Sequence, residues 1–349
     1  MEKQISIIIP TYNMERYIDK CLDSLLIPEL EAVEVLVVND GSKDRSSDIA
    51  HCYAERYPDS IRVIDKVNGN YGSCINAALP LATGRYFKIL DADDSFDSAA
   101  FSSLVKKLPE CNEDVIITNH LIVNSAGERM ERSVFPSGVR IDSILSVKDA
   151  ISTICSSYLQ MHRLAYRREV FERFPYRQTE GVSYTDSQWS IIPLAYCETL
   201  RCLDILVYRY LVGREGQTMS PVQLSKFLNQ FFIVLTDSLK YYQEYHGSPY
   251  GRSLLTKHLV ENHEYVYFHV LRNYDQRSVG LLREYDVRLR NISPEIFERL
   301  NHTQYALEIN FPVFRYIREH NYPNSFSLPL AKRMELMVKV RLNKLLGRN

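Results

Sequence analysis

Residues 83–94 read Thr83-Gly84-Arg85-Tyr86-Phe87-Lys88-Ile89-Leu90-Asp91-Ala92-Asp93-Asp94. The run Phe87–Leu90 predicts a strand, and Asp91, Asp93 and Asp94 leave its carboxyl end just before a helical pattern. Alternate carboxylates there can chelate one hard divalent cation, which keeps positions open for phosphate oxygens and water. The same residues also suit a turn with an aspartate helix cap, so the run alone leaves both readings open.

Working outward, short β-branched runs recur at Ile5–Ile9, Val33–Val38, Ile61–Ile64, Tyr86–Leu90 and Val115–Val123, with helical patterns between them. That alternation predicts a parallel α/β sheet. Ile5–Ile9 and Val33–Val38 show little polar alternation, as strands covered on both faces do. Met14–Leu26 spaces Tyr17, Cys21, Leu22 and Leu25 for a helix. A second block, about 125–212, is mixed, with strand-like Leu159–Arg167 and Cys202–Val212 around a helix starting near Thr185. A boundary is expected at Gly213–Pro221, and the remainder reads as Tyr- and Leu-rich helix broken by prolines.

In open α/β sheets ligands sit outside the carboxyl ends of the strands. Four polar clusters occupy such places. Pro10-Thr11-Tyr12-Asn13 sets an aromatic where a nucleobase could stack. In Asn39-Asp40-Gly41-Ser42 a carboxylate could accept the imide N–H of uracil, with Gly41 bending the backbone. Around Asn68–Ser73, Gly72 and Ser73 could bring backbone amides to a diphosphate at a helix start. The fourth is Asp91–Asp94. Each is also a plausible turn, and what raises them together is that each follows a different strand of one sheet.

Composition bounds the rest. The chain has 349 residues and is 45% hydrophobic, enough for one large domain and an appendage. With 42 basic against 43 acidic residues, no global field recruits nucleic acid or an anionic bilayer. The seven scattered cysteines form no zinc spacing and fit reduced thiols in cytosol. No run approaches the roughly eighteen apolar residues of a spanning helix, so a soluble or membrane-face protein is expected.

Taken as an ordered set, Pro10-Thr11-Tyr12-Asn13, Val38-Asn39-Asp40-Gly41-Ser42 and Thr83–Asp94 resemble the successive signatures of family-2 glycosyltransferases with the GT-A fold, over about Ile5 to Val212. The resemblance implies a Rossmann-type α/β fold, a mixed, mainly parallel sheet flanked by helices, to which the pattern beyond adds a helical carboxyl-terminal extension. With the sequence pattern it gives a domain at 1–215, with a nucleotide half at 1–124 and an acceptor half at 125–215; the resemblance fades from Gln223 onward, and the region 216–349 is expected to be helical from its own pattern. The resemblance further implies an inverting enzyme that takes a nucleotide-sugar donor, a UDP-sugar above all, with Mn²⁺ or Mg²⁺. The expected acceptor is a glycan or lipid-linked glycan in bacterial surface-glycan synthesis, at the cytoplasmic face.

On this resemblance the donor contacts fall on Pro10, Thr11, Tyr12, Asp40, Gly72, Ser73, Asn76, Asp91, Ala92 and Asp93, with Asp93 and Asp91 as metal ligands. The general base of such enzymes opens a helix in an acidic segment after the metal motif, which here is Glu180–Trp189, and Asp186 is its match. Thr185 and Gln188 also have capping-box spacing, which would explain the same segment without catalysis. Two departures stand out: Ile75-Asn76 where relatives carry Arg-Asn, and Thr185-Asp186 where they carry Glu-Asp. His162 could reach an acceptor or phosphate, and Arg214 could close on the diphosphate from a loop at 214–220.

The final stretch, 330–349, is basic with one apolar face, a pattern that permits docking to an anionic membrane surface and equally suits a packed helix. Two rival functions remain open at this point, a non-catalytic nucleotide-sugar-binding partner subunit and a sugar nucleotidyltransferase. The second normally wants a Gly-rich loop with a nearby cation after the first strand, which Pro10–Asn13 does not supply.

Overall fold

The computed structural model describes residues 2–150, 154, 159–214, 228–272, 275–306, 309–323, 327, 329, 331–335 and 337. Two compact units make up the chain, Met1–Thr218 with His246–Leu254, and Met219–Tyr245 with Leu255–Asn349.

The first unit begins with β1 (Ile5–Thr11), α1 (Ile18–Asp23), β2 (Val33–Asn39), α2 (Ser46–Arg56), β3 (Ile61–Asp65), α3 (Asn70–Ala78) and β4 (Tyr86–Ile89). It continues through β5 (Ser95–Phe96), α4 (Ser98–Lys107), β6 (Val115–Val123), β7 (Arg129–Arg132), β8 (Ile144–Ser146), α5 (Val147–Ala150), β9 (Leu164–Arg167), α6 (Asp186–Ile191) and β10 (Thr199–Leu211). These strands join in one sheet, in the order β3-β2-β1-β4-β9-β6-β10-β5, with β7 on β6 and β8 on β10. The long ladders are parallel, β3-β2-β1-β4 and β6-β10, and short antiparallel β9 joins them. The mixed, mainly parallel sheet flanked by helices is the expected one.

β1 is buried on both faces, as its unbroken apolar run requires. Ile5, Ile7 and Ile9 pack with Val33, Val35 and Val37 against Ile18, Cys21, Leu22 and Leu25 of the α1 segment. The burial of these side chains, about 1.5–3 kcal/mol each on transfer from water, is what holds the strand ends in register.

Two elements differ from expectation. Helix α1 is shorter than Met14–Leu26: the Tyr17 and Ile18 N–H groups close a turn on the Met14 carbonyl before it, and after it Leu25 and Leu26 bond only three residues back, to Leu22 and Asp23. Only the end of Leu159–Arg167 is strand, since Met161–Arg163 forms a 3₁₀ turn.

The second unit contains α7 (Leu228–Gln243), α8 (Pro249–Arg272) from Leu255 on, α9 (Gln276–Ile292), α10 (Pro294–Asn301) and α11 (Val313–Glu319). It is organised around Asp286, which accepts from the Tyr267 hydroxyl at 2.6 Å and from Arg318 at 2.6 and 2.9 Å. A hairpin, β11 (Gln304–Ala306) with β12 (Ile309–Pro312), departs from the all-helical reading. Its signal was present in the period-two spacing of Tyr305, Leu307, Ile309 and Phe311. The loop at 215–220 and most of the boundary at 213–221 lie outside the described residues. So do Val338, Leu342 and Leu345 of the basic terminal face. Among the described residues, no helix is long and apolar enough to cross a membrane.

Candidate active site

The parallel ladders bring the four clusters to one edge of the sheet. Thr11 pairs with Asn39 at the ends of β1 and β2, and β4 ends beside β1, so Tyr12, Asp40 and Asp91 leave adjacent strands at the same level. Tyr12 is 45% exposed, whereas Thr11 is buried with its hydroxyl on the Ile9 carbonyl. Asp40 is 2% exposed. Gly41 has φ +72°, a left-handed turn that glycine adopts without steric cost.

Asp91 Oδ1 accepts the Tyr71 hydroxyl at 2.7 Å. Tyr208 links the acidic run together: its oxygen accepts the Asp91 N–H at 3.2 Å while its proton goes to Asp94 Oδ2 at 2.6 Å. Asp94 Oδ1 takes the Leu211 N–H at 2.6 Å. Asp93 is ion-paired with Arg214, whose guanidinium also lies over the Tyr17 ring. Ala92 packs its methyl into the core.

Burial pushes the Asp91 carboxyl up to about 7, reinforced by the charge of Asp93 and partly offset by the Tyr71 hydrogen bond. Burial raises Asp94 as well. A site that forces neighbouring carboxylates toward protonation is one that a cation would relieve. Asp91, Asp94 and His162 each offer one ligand atom, all within 4.8 Å of one another. His162 Nδ1 is enclosed with no hydrogen-bond partner among the described residues, and burial holds the ring neutral, with its pKa pushed down to about 3. Hard carboxylate oxygens beside one neutral imidazole form a donor set that fits Mn²⁺ or Mg²⁺.

Asp186 opens α6 as expected, and the residue is exposed. The protein around its carboxyl raises its pKa, against the backbone N–H groups of Asp186 and Ser187. Its charge also raises Asp91 and Tyr71, so the three share one electrostatic neighbourhood. The capping box is not formed: Thr185 makes no side-chain cap, and its hydroxyl accepts from Gln178 Nε2 at 2.9 Å. Gln188 turns instead to Thr179, with bonds of 3.0 and 2.9 Å. Tyr184, two residues before Asp186, has φ +65°, a strained value for a bulky residue that the surrounding bonds must hold.

Asn76, Gly72 and Ser73 make protein contacts. The Asn76 amide makes three 2.8 Å bonds to Gln178 and Glu180, tying α3 to the segment that carries Asp186. Gly72 packs so closely on the Thr179 carbonyl that a Cβ there would overlap it. The Ser73 hydroxyl accepts from Lys66 at 2.8 Å and donates to the Asn70 carbonyl at 2.6 Å.

Sequence reasoning missed several residues. Lys66 follows β3 directly and was within reach of the rule that strand ends carry function. Lys88 is fully buried in β4 and donates to the His162 carbonyl at 2.7 Å, with burial lowering its pKa to about 7. Nothing local distinguishes it, or Tyr208, which sits mid-strand in β10.

A sheet of this order, with acidic clusters at the ends of β2 and β4, is an open α/β architecture that gathers ligand contacts at the carboxyl ends of its strands. Residues 6–174 match the sequence profile of glycosyl transferase family 2, so that segment is similar to that family. The chain is 31% identical over 223 residues to an uncharacterized glycosyltransferase of Bacillus subtilis, EpsJ, a match over 62% of this chain and 63% of that one. The chain therefore spans somewhat under two thirds of that relative. It is 26% identical over 274 residues to YibD of Escherichia coli, covering 74% and 79%. It is 29% identical over 164 residues to the minor teichoic acid biosynthesis protein GgaB of B. subtilis, covering 46% and 18%. Among solved structures, S. aureus TarS in complex with UDP-GlcNAc superposes with a TM-score of 0.61 at 18% identity, over 94% of this chain and 95% of that one. The fold is GT-A.

Proposed function

We propose that the protein is an inverting glycosyltransferase that moves a sugar from a UDP-sugar to a hydroxyl of a bacterial surface glycan, with Mn²⁺ or Mg²⁺. The observation that carries this reading is the gathering of Asp40, Asp91, Asp93 and Asp186 around one crevice of a family-2 fold. Tyr12 offers its exposed ring to the base, and Asp40 accepts the imide N–H. Asp91, Asp93 and Asp94 with His162 would hold the cation. When bound, such a cation neutralises the charge that builds on the diphosphate as the glycosidic bond breaks.

Asp186 takes the proton from the acceptor hydroxyl as that oxygen attacks the anomeric carbon, while the bond to the UDP oxygen breaks on the opposite face. One displacement without a covalent enzyme intermediate inverts the centre. The raised pKa of Asp186 suits this, since a base works best with its pKa nearer the working pH. Domain limits at 1–215 and 216–349 belong to the same reading, as does action at the cytoplasmic face on a lipid-linked acceptor. The teichoic-acid relative supports a surface glycan as product.

The experiment is UDP release from a panel of UDP-sugars, with Mn²⁺ or chelator, by wild type, Asp93→Ala and Asp186→Asn. Metal-dependent release lost in Asp93→Ala supports the reading and identifies the sugar. No release and no UDP binding would sink it, and UDP binding without turnover on any acceptor would leave a binding subunit.

A further inference from the structure

Lys66 stands directly after β3, and its ammonium makes three hydrogen bonds. They run to Asp40 Oδ1 at 2.7 Å, Ser73 Oγ at 2.8 Å and the Val67 carbonyl at 2.6 Å. All three of its N–H donors are thereby used. Asp40 Oδ1 further accepts the Gly69 N–H at 2.9 Å and lies 3.5 Å from the Ser73 hydroxyl. Among the described residues, every hydrogen bond to the Asp40 carboxylate ends on Oδ1, and Oδ2 takes none. Nor is Oδ2 one of the enclosed polar atoms left without a partner among the described residues.

The arrangement is asymmetric, with one oxygen locked by a half-buried cation and a backbone amide, and the other left for something else. The side chains of Lys66 and Asp40 are 22% and 3% exposed, so the pair has little water to compensate it. Removing the ammonium would leave a buried carboxylate without its counter-charge and free to turn. Lys66 also ties the start of α3 to the ends of β2 and β3, but that duty alone would not require Oδ2 to stay open.

We propose that Lys66 is a positioning residue that sets nucleobase selectivity, by locking one oxygen of Asp40 so that the other is presented as a fixed acceptor. A fixed acceptor facing the base matches the ring N–H of uracil and opposes the bare ring nitrogen of cytosine. This inference rests on the reading of Asp40 as the base contact.

The test is calorimetric titration of UDP and CDP, with excess Mn²⁺, into wild type, Lys66→Met and Lys66→Arg, each first checked for a native melt. Wild type is expected to prefer UDP. In Lys66→Met the UDP affinity falls by about tenfold or more while CDP changes by less than about threefold, so the ratio collapses. Lys66→Arg, which keeps the cation, restores most of the ratio. A merely structural lysine would weaken both nucleotides alike, and that result, or unchanged UDP binding, overturns the proposal. Should Lys66→Met fail to melt cooperatively, Lys66→Gln carries the same comparison. Wild type that binds no uridine nucleotide defeats the uridine reading itself, whereas UDP preference that survives in Lys66→Met defeats only the role of Lys66.

Discussion

The guanidinium of Arg214 is ion-paired with the carboxylate of Asp93, the residue that the family resemblance makes the principal metal ligand. An internal cation thus occupies the place where a divalent ion is expected, and the two cannot hold the same carboxylate oxygen together. Arg214→Gln should tighten Mn²⁺ binding to the donor-free protein by about tenfold, since a partly desolvated ion pair no longer has to be broken. Mn²⁺ titration followed by electron paramagnetic resonance reads this directly. Unchanged affinity would show that Asp93 is not a ligand, or that the pair opens at no cost.

On the proposed mechanism, Asp186 separates binding from chemistry. Asp186→Asn keeps the size and the helix start but removes the proton acceptor, so sugar transfer should fall by about 10²–10⁴-fold. UDP affinity measured by calorimetry should stay within about threefold, because no donor contact is lost. Equal losses in both would reassign Asp186 to donor binding.

The raised carboxyl of Asp91 gives a pH signature in the metal-free protein. An unfolded aspartate ionises near 3.9, whereas the folded one holds its proton to about 7. Between those values the native state binds the extra proton, so this group's contribution to stability falls as pH rises toward 7. Buried His120 and His162, with lowered pKa values, tilt the total curve the other way below about 6.5, so the comparison must be differential. Asp91→Asn, which carries no charge at any pH, should gain on wild type as pH rises from about 4 to 7, standing further above it near pH 7.5 than near pH 5. A melting difference that does not change with pH would refute the shift.

Gly72→Ala tests the contact between α3 and the segment leading to Asp186. The added methyl meets the Thr179 carbonyl, a backbone atom held by neighbouring bonds, so one of the two chains must move. The expected cost is about 1–3 kcal/mol in urea unfolding, the range for overpacking in a tight interior. Transfer activity should fall more than the folded fraction does, because Asp186 moves with the displaced segment. Wild-type stability would mean that the contact relaxes freely.

The sequence by itself determined the main strands and the residues at their ends. Ile5–Ile9, Val33–Val38 and Tyr86–Leu90 are continuous apolar runs, and parallel strands buried on both faces demand such runs. Once those strands are parallel neighbours, Tyr12, Asp40 and Asp91 must emerge at one edge, so the outline of the crevice was legible. Asp186 was legible only through the family resemblance, since its local spacing equally suited a capping box that the structure does not form.

Only tertiary structure decided which partners those residues keep. Lys66 meets Asp40 across 26 positions, Tyr208 meets Asp94 across 114, and Arg214 meets Asp93 across 121. Tertiary contacts also tie the chain ahead of α1, where Ser46 and Asp44 accept the Met14 and Glu15 N–H groups from about thirty positions away. The reason is common to all of these. Strand propensity and burial are properties of a short window, whereas the partner of a buried charge is fixed by which strands lie side by side, and no local pattern encodes that.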